Sequence, residues 1–160
     1  MEVRQKIAPC LWYDDAALEA AELYVSLFDG SEILSVSHYG EGGPRPAGSV
    51  MVVSFRLAGQ EFMALNGGPE FLFTEAVSLY VHCATQDEVD YLWERLTADG
   101  GQESMCGWLK DKYGLSWQIV PDALTELMGD ADRERAGRVV QAMLQMRKID
   151  VAALRRAYDG

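Results

Sequence analysis

Two stretches of the sequence decide the fold: IAPCLWYDDAALEAAELYVSLFDG over residues 7–30 and VSLYVHCATQDEVDYLWERLTADG over residues 77–100. Each begins with a short apolar run, continues into a segment of helical periodicity, and closes at an Asp-Gly pair. The two pairs, Asp29-Gly30 and Asp99-Gly100, lie seventy residues apart, and strand-like stretches follow both of them. A supersecondary unit used twice in this way indicates one fold built from two similar halves.

The first half of the chain predicts a strand, a helix and three further strands. The helix is predicted over residues 15–28, where apolar side chains recur every three or four positions after the capping pair Asp14-Asp15. The predicted strands cover residues 6–12, 33–38, 50–57 and 61–65. The last two form a hairpin that turns at residues 58–60. Residues 41–48 are rich in Gly and Pro and predict a loop.

The second half repeats this plan with shorter loops, and a helical tail follows it. Thr85 caps a helix predicted over residues 86–98. The predicted strands cover residues 77–82, 103–106, 108–110 and 116–120. After Pro121 the pattern predicts helices over residues 122–128, 132–146 and 151–158. Because these helices are too polar to be stable alone, we expect the tail to pack on the sheet or on a partner subunit.

The composition limits the classes of partner. The 160 residues include 14 Lys and Arg against 25 Asp and Glu, a formal net charge of −11. Such a surface repels phosphate backbones, so no nucleic-acid partner is expected. No apolar run is long enough to span a membrane, and the N-terminus lacks the apolar core of a signal peptide, so no membrane partner is expected. Three widely spaced cysteines, Cys10, Cys83 and Cys106, without a CxxC pair favour reduced thiols and a cytoplasmic location.

Six motifs together resemble a known group of proteins. They are PCLWYD (residues 9–14), YVSLF (24–28), GQEFMALNGG (59–68), CGWLKDKYG (106–114), SWQIVP (116–121) and QAMLQM (141–146). With the twice-used unit, they resemble the vicinal oxygen chelate superfamily, which includes glyoxalase I, bleomycin-resistance proteins and extradiol dioxygenases. Within it the chain resembles the PhnB-like branch, often labelled 3-demethylubiquinone 3-methyltransferase-like. The resemblance covers nearly the whole chain.

The resemblance implies an α+β fold. Two βαβββ modules would form a curled mixed sheet around a cleft, with a C-terminal helical extension. The glyoxalase-like domain would cover residues 1–121, with modules at about residues 5–67 and 76–120, and the helical tail residues 122–160. Such a fold leaves strand edges and an open concave sheet that a second copy of the chain can cover. We therefore expect a homodimer.

The methyltransferase label fits the sequence poorly. A methyltransferase that uses S-adenosylmethionine normally needs a Gly-rich turn between a first strand and a helix, on a doubly wound fold. The Gly-rich run of this chain, residues 40–44, lies between two predicted strands, where a hairpin loop explains it. Methyltransferase activity is therefore not expected.

The superfamily also implies a metal site, to which each half supplies a His from its first strand and a Glu from its last. Strand alternation places the four corresponding positions at approximately Ala8, Met63, Ser78 and Gln118. Among them Gln118 alone is a possible ligand, and a weak one, so no metal or other cofactor is expected. A composite metal site stays open as an alternative, made of His82, Cys10, Gln118 and Glu61.

The cleft predicted from the resemblance has aromatic walls and a few polar groups, which suits a flat organic ligand. The candidate cleft residues are Cys10, Trp12, Met63, Asn66, Ser78, Tyr80 and His82, with Trp117 and Gln118 as neighbouring alternatives on the last strand. Core packing is the alternative for each aromatic side chain. Cys10 is expected to be a small buried residue rather than a nucleophile.

Two main functions remain open. The first is the binding of a small organic molecule in the cleft without a metal. The second is an enzyme, lyase-, dioxygenase- or isomerase-like, that acts on an oxygen-bearing small substrate by metal-dependent or general acid–base catalysis. A third possibility is that the helical tail serves as a protein-interaction surface and no small ligand binds.

Overall fold

The structure is a computed structural model, and it describes residues 5–160. The chain divides into two compact units, one extending to Leu72 and the other spanning Phe73–Gly160. Each unit has a four-stranded mixed sheet and a helix that directly follows the first strand of that sheet. The predicted α+β class and the repeated strand–helix–three-strand plan are therefore confirmed. Among residues 5–160, every helix is too short or too polar to cross a membrane.

The first unit contains four strands and one helix. They are β1 (Cys10–Tyr13), α1 (Ala17–Leu27), β2 (Glu32–His38), β3 (Val50–Leu57) and β4 (Gln60–Asn66). The strand order is β1-β4-β3-β2, in which β1 runs parallel to β4 and the other neighbours are antiparallel. Along each strand, alternate side chains face α1 and form the core, whereas the others lie on the open face of the sheet. The largest core side chains are Tyr13, Tyr24, Phe55 and Phe62.

The β3–β4 hairpin turns on two residues instead of the predicted three. Leu57 pairs with Gln60, which leaves Ala58 and Gly59 as the loop. Both have left-handed backbone angles, with φ of 46° and 88°. Two such residues give the turn whose twist matches that of the flanking strands. A two-residue loop fixes the strand register, and the register decides which side chains lie on the open face.

Strand β1 begins at Cys10, later than the predicted start at residue 6. Pro9 has no N–H with which to extend the ladder, although its carbonyl accepts the N–H of Met63 at 2.9 Å. On the N-terminal side of Pro9, the side-chain amide of Gln5 takes the place of the backbone as the partner of Glu61 on β4. It accepts the N–H of Glu61 at 3.0 Å and donates to the Glu61 carbonyl at 2.9 Å. A side chain therefore extends the pairing beyond the strand.

The second unit repeats the arrangement. Its sheet and helix consist of β5 (Ser78–Cys83), α2 (Gln86–Thr97), β6 (Gln102–Glu103), β7 (Trp108–Lys110) and β8 (Ser116–Pro121). The strand order β5-β8-β7-β6 matches the first sheet position for position. The predicted cap is confirmed, since the Thr85 hydroxyl accepts the N–H of Glu88 at 3.2 Å. Strand β6 is shorter than predicted because Cys106 and Gly107 both adopt left-handed φ, 57° and 83°, which no strand accommodates.

Three helices close the chain: α3 (Asp122–Met128), α4 (Arg133–Met143) and α5 (Val151–Asp159). Helix α4 ends at Met143, three residues before the predicted end. The tail belongs to the second unit, where it forms an apolar cluster made of Val120, Leu124, Val139, Ile149 and Leu154. The backbone also joins it to the sheet region, since the N–H groups of Cys106 and Gly107 donate to the carbonyls of Met146 and Arg147, each at 2.8 Å.

Candidate functional site

The open face of the first sheet carries a depression of about 620 Å³. Its lining residues are Gln5, Lys6, Ala8, Ser54, Glu61, Phe62 and Met63. Met63 and Ser54 lie opposite each other on β4 and β3, on the face away from α1. The lining therefore combines three apolar residues with four polar or charged ones. A pocket of this size and lining suits a small organic molecule.

Trp12 lies on the same face as Cys10 and forms a wall at one end of β1. Its indole Nε1–H donates to the carbonyl of Gly68 at 2.9 Å, and its ring meets Phe71 edge to face at 5.0 Å between centroids. The indole lies so close to the turn after β4 that a Cβ on Gly67 would be 2.3 Å from it. The sequence predicted Trp12 as a wall residue, and its ring is fixed in place from two sides.

Asn66 does not lie on this face, which corrects the expectation that it lines the cleft. Its side chain is buried on the helix side, where Oδ1 accepts the N–H of Ala17 at 2.8 Å and Nδ2 donates to the carbonyl of Val50 at 3.2 Å. It thus satisfies a free N–H group in the first turn of α1 from a distant strand. Asn66 is three positions from Met63, an odd number, so strand alternation alone already placed it on the opposite face.

The open face of the second sheet is more polar. Ser78, Tyr80 and His82 alternate along β5, and Gln118 on β8 pairs with Tyr80 in the register. The Gln118 amide donates to the hydroxyl of Ser78 at 3.0 Å, while the rings of Tyr80 and His82 lie 4.9 Å apart. These four predicted residues therefore share one face of one sheet.

Trp117 points the other way and belongs to the core, which corrects its place among the candidate cleft residues. It is buried, and its Nε1–H donates to Oδ2 of Asp111 at 3.0 Å. The same buried carboxylate accepts the N–H groups of Tyr113 and Leu115 at 2.9 and 3.1 Å. Asp111 thus holds the turn before β8, a structural role that the sequence analysis did not identify. Of the two neighbouring alternatives, Gln118 is the one on the open face.

A smaller cavity of about 170 Å³ lies in the second unit, and its lining residues are not among the candidate cleft residues predicted from the sequence. It is lined by Glu75, Gln102, Glu103, Ser104, Trp108, Leu109, Lys110 and Ser116. Ser116 lies two positions before Gln118 on β8, and it pairs with Lys110 on β7. The period of two along these strands was the available signal, because it places Trp108, Lys110 and Ser116 on the same face as Gln118.

Cys10 and His82 are the candidate cleft residues considered for proton transfer. Cys10 is exposed, which corrects the expectation of a buried side chain, yet desolvation of its sulfur raises the pKa of the thiol. Since the thiolate is the nucleophilic form, Cys10 is held in its unreactive state at neutral pH. His82 lies with Nδ1 4.0 Å from Oδ1 of Asp122, and both side chains are well exposed.

The residues at the superfamily's four metal positions do not fit a divalent ion. Ala8 and Met63 line the same depression but offer no nitrogen or oxygen ligand, and the side chains of Ser78 and Gln118 are bonded to each other. Within residues 5–160, His, Cys, Asp and Glu side chains form no group of three that could hold a metal. The composite site of His82, Cys10, Gln118 and Glu61 is therefore not assembled among these residues.

The two βαβββ units have the glyoxalase-like fold of the vicinal oxygen chelate superfamily. The chain belongs to the family described as 3-demethylubiquinone-9 3-methyltransferase, whose family model matches residues 5–120. The PhnB protein from Bacillus cereus is 43% identical, and the match covers 73% of this chain and 99% of that one with a TM-score of 0.68.

Two further solved structures are more distant. Protein PA1353 from Pseudomonas aeruginosa is 20% identical, with 73% of this chain and 97% of that chain covered and a TM-score of 0.60, which shows the shared fold. The fosfomycin resistance protein FosX from Listeria monocytogenes is 16% identical, with 72% and 90% covered and a TM-score of 0.48. The search of curated proteins gave no match.

Proposed function

We propose that this protein binds a small organic molecule on the open face of its first sheet, without a resident metal. The depression of about 620 Å³ beside Met63 carries the proposal, because its volume lies within the range of small-molecule sites and its lining offers both apolar contacts and polar groups. Trp12 adds an aromatic surface at the end of the same face. Aromatic rings offer flat organic molecules a large contact area, and the flexible thioether of methionine adapts to the shape of a ligand.

The junctions between strand and helix support binding over methyl transfer. A nucleotide-type cofactor is normally cradled by a Gly-rich turn at the start of a helix. Here β1 joins α1 through Asp14, Asp15 and Ala16, and β5 joins α2 through Ala84 and Thr85. The Gly-rich run at residues 40–44 follows β2 and precedes β3, as a loop within a hairpin. Neither junction therefore contains the Gly-rich, cofactor-binding turn that the methyltransferase description of the family would require.

The second candidate function, an enzyme that uses general acid–base catalysis, has less support. Such a role favours a buried His or carboxylate that faces an empty polar pocket. His82 is largely exposed, and the raised pKa of the Cys10 thiol opposes a nucleophilic role. Binding is therefore the function that these side chains support best.

A screen of small aromatic and amphipathic molecules tests the proposal. Native mass spectrometry of freshly purified protein would first reveal any retained ligand. Hits from thermal-shift measurements would then be titrated against wild type and Met63→Glu, which replaces an apolar lining residue of the depression by a charged one. We expect at least about tenfold weaker binding to Met63→Glu, because burying an unpaired carboxylate against an apolar ligand is unfavourable.

Met105→Glu is the matched control. Met105 is similarly exposed, 45% against 36% for Met63, and lies outside the depression. It should leave affinity unchanged. Binding that is insensitive to Met63→Glu would place the ligand elsewhere, and a screen without any hit or retained ligand would contradict the proposed function.

We also propose that the protein is a cytoplasmic homodimer. The exposed apolar side chains of Phe71, Leu72 and Val77, which lie within seven residues of sequence, support the dimer, because association would remove them from water. Three free cysteines support a reducing compartment.

A further inference from the structure

Ser116 has a hydrogen-bonding group without a partner. Its side chain is only 1% exposed, and within residues 5–160 its Oγ is the buried side-chain oxygen or nitrogen that lacks a hydrogen bond. Buried hydroxyls nearly always have a partner, so this one points to a group from outside the chain, either an ordered water or a ligand. Ser116 lines the cavity of about 170 Å³ in the second unit.

The neighbours of this hydroxyl define the chemistry of the missing group. Lys110 is directly opposite Ser116 across the β7–β8 ladder, so both side chains lie on the same face. Within residues 5–160, the carboxylate paired with the Lys110 ammonium is that of Glu75, whose Oε1 lies 2.5 Å away, and the Glu75 side chain is 63% exposed. Trp108 lines the same cavity two residues before Lys110 and provides an aromatic surface.

Glu103, the other acidic residue of the lining, has partners of its own. It accepts the indole N–H of Trp93 at 2.7 Å and lies 3.7 Å from Arg147. Glu75 is therefore the lining carboxylate that pairs with Lys110, and its side chain is largely exposed to solvent. An exposed ion pair of this kind contributes little and exchanges readily. A carboxylate brought by a ligand can replace it on Lys110 and, unlike Glu75, also accept the hydroxyl hydrogen of Ser116.

We propose that this cavity is a second ligand site, separate from the depression beside Met63, and that it binds the carboxylate of an aryl carboxylate ligand. Lys110 pairs with the carboxylate, Ser116 donates a hydrogen bond to it, and the aromatic ring packs on Trp108. In the unliganded protein Glu75 pairs with the Lys110 ammonium. When the ligand binds, its carboxylate takes this place and the Glu75 side chain moves into solvent. A single cation favours a monoanion over a phosphate dianion.

Titration of the full chain with benzoate and its neutral isostere benzamide tests the inference, with amide chemical shifts as the readout. A fragment of this size is expected to bind benzoate with a Kd of about 1 mM, and benzamide at least about tenfold more weakly. Lys110→Met and Ser116→Ala should each weaken benzoate binding about tenfold or more, since hydrogen bonds to charged groups are the strong ones. Glu75→Gln should tighten it by up to about fivefold, because the competing carboxylate is gone.

Lys112→Met removes the same charge from a neighbouring exposed site and is the control that should bind benzoate as wild type does. Equal affinity for benzamide, or full binding by Lys110→Met, would refute the carboxylate assignment. Unchanged binding by Ser116→Ala would mean that the hydroxyl is partnered by an ordered water only. If benzoate causes no saturable shifts, the carboxylate site is refuted. The proposed function is unaffected by that result, because the ligand screen with Met63→Glu tests a different pocket.

Discussion

Gly67 shows how one absent side chain shapes the open face of the first sheet. A Cβ at this position would lie 2.3 to 2.5 Å from three atoms of the Trp12 indole. Only glycine therefore lets the ring lie flat on the turn, where Nε1 reaches the Gly68 carbonyl and the ring edge meets Phe71. The wall of the proposed binding face depends on this contact.

Gly67→Ala is expected to destabilise the protein by about 1–3 kcal/mol, because the indole must leave its position and give up its hydrogen bond. Urea unfolding followed by fluorescence measures the change. Gly137→Ala is the control: it lies inside α4 with no heavy atom near the added Cβ, and should stabilise by about 0.5–1 kcal/mol. Equal stability of Gly67→Ala and wild type would contradict the described packing of Trp12.

Cys83 links stability to pH. The side chain is fully buried, and burial, with smaller contributions from the carboxylates of Glu88 and Asp122, raises the pKa of the thiol from 9.0 to about 12. Between these values the unfolded chain has lost the proton while the folded chain keeps it. The unfolded state then binds fewer protons, so the free energy of unfolding falls as pH rises through this window.

Wild type should therefore lose about 1–2 kcal/mol relative to Cys83→Ala between about pH 8 and about pH 10.5, since each unit of pKa difference corresponds to about 1.4 kcal/mol. Urea unfolding of both proteins at several pH values gives the difference directly. The cavity left by the substitution adds an offset that does not depend on pH. A difference that stays constant across the window would show that the Cys83 thiol titrates as it does in the unfolded chain.

At the scale of elements, Gln86 fastens the C-terminal helix to α2. Its amide nitrogen donates to the Ile149 carbonyl at 3.0 Å and to Oδ1 of Asp90 at 2.9 Å, while its oxygen accepts the N–H of Val151 at 2.7 Å. Lys148 adds an ion pair with the same Asp90 at 2.8 Å. One side chain thus satisfies backbone groups on both sides of the α5 N-cap.

Gln86→Ala should cost about 1–3 kcal/mol, because it leaves part-buried backbone groups unsatisfied at the start of α5. Hydrogen exchange is the more specific measurement: amides of α5 should exchange faster while those of the first sheet do not change. Gln145→Ala, at an exposed position of the tail, should stay within about 0.5 kcal/mol of wild type. Unchanged protection of α5 in Gln86→Ala would show that the apolar cluster alone holds the helix.

At the scale of the whole molecule, three large apolar side chains stand exposed around the junction of the two units. Leu72 is 86% exposed, Phe71 65% and Val77 64%. Burial of these side chains in an interface would remove apolar surface from water, whereas a net charge of −11 otherwise keeps the chain dispersed. These residues support the proposed homodimer.

Analytical ultracentrifugation of wild type is expected to show a dimer at micromolar concentration, and Leu72→Asp should weaken it at least about tenfold, because a charge then replaces a buried anchor. Leu144→Asp, which alters another exposed leucine, is the control and should remain dimeric. A monomeric wild type would contradict the dimer itself, whereas an unaffected Leu72→Asp dimer would move the interface elsewhere.

The sequence by itself determined the order of elements, because hydrophobic period, caps and turn residues act over short distances. The repeated unit, the Thr85 cap and α3 at Asp122–Met128 follow from it. The alternation of side chains along the strands also follows from the sequence. Applied from Met63, the same alternation places Asn66, three positions later, on the face toward α1. The limits of β1 and β6 could not be predicted in this way, since Pro9 interrupts the ladder of β1 and the left-handed backbone of Cys106 ends the extended stretch that contains β6.

Only the tertiary structure decided which polar groups find partners. The Asn66 side chain accepts the N–H of Ala17, forty-nine residues away. The Asp111 carboxylate accepts the backbone N–H groups of Tyr113 and Leu115 and the indole N–H of Trp117. The burial of Ser116 beside Lys110 without a hydrogen bond is likewise invisible in a list of residues. The free energy of a buried polar group depends on the atoms within about 3 Å of it, and long-range folding alone brings those atoms together.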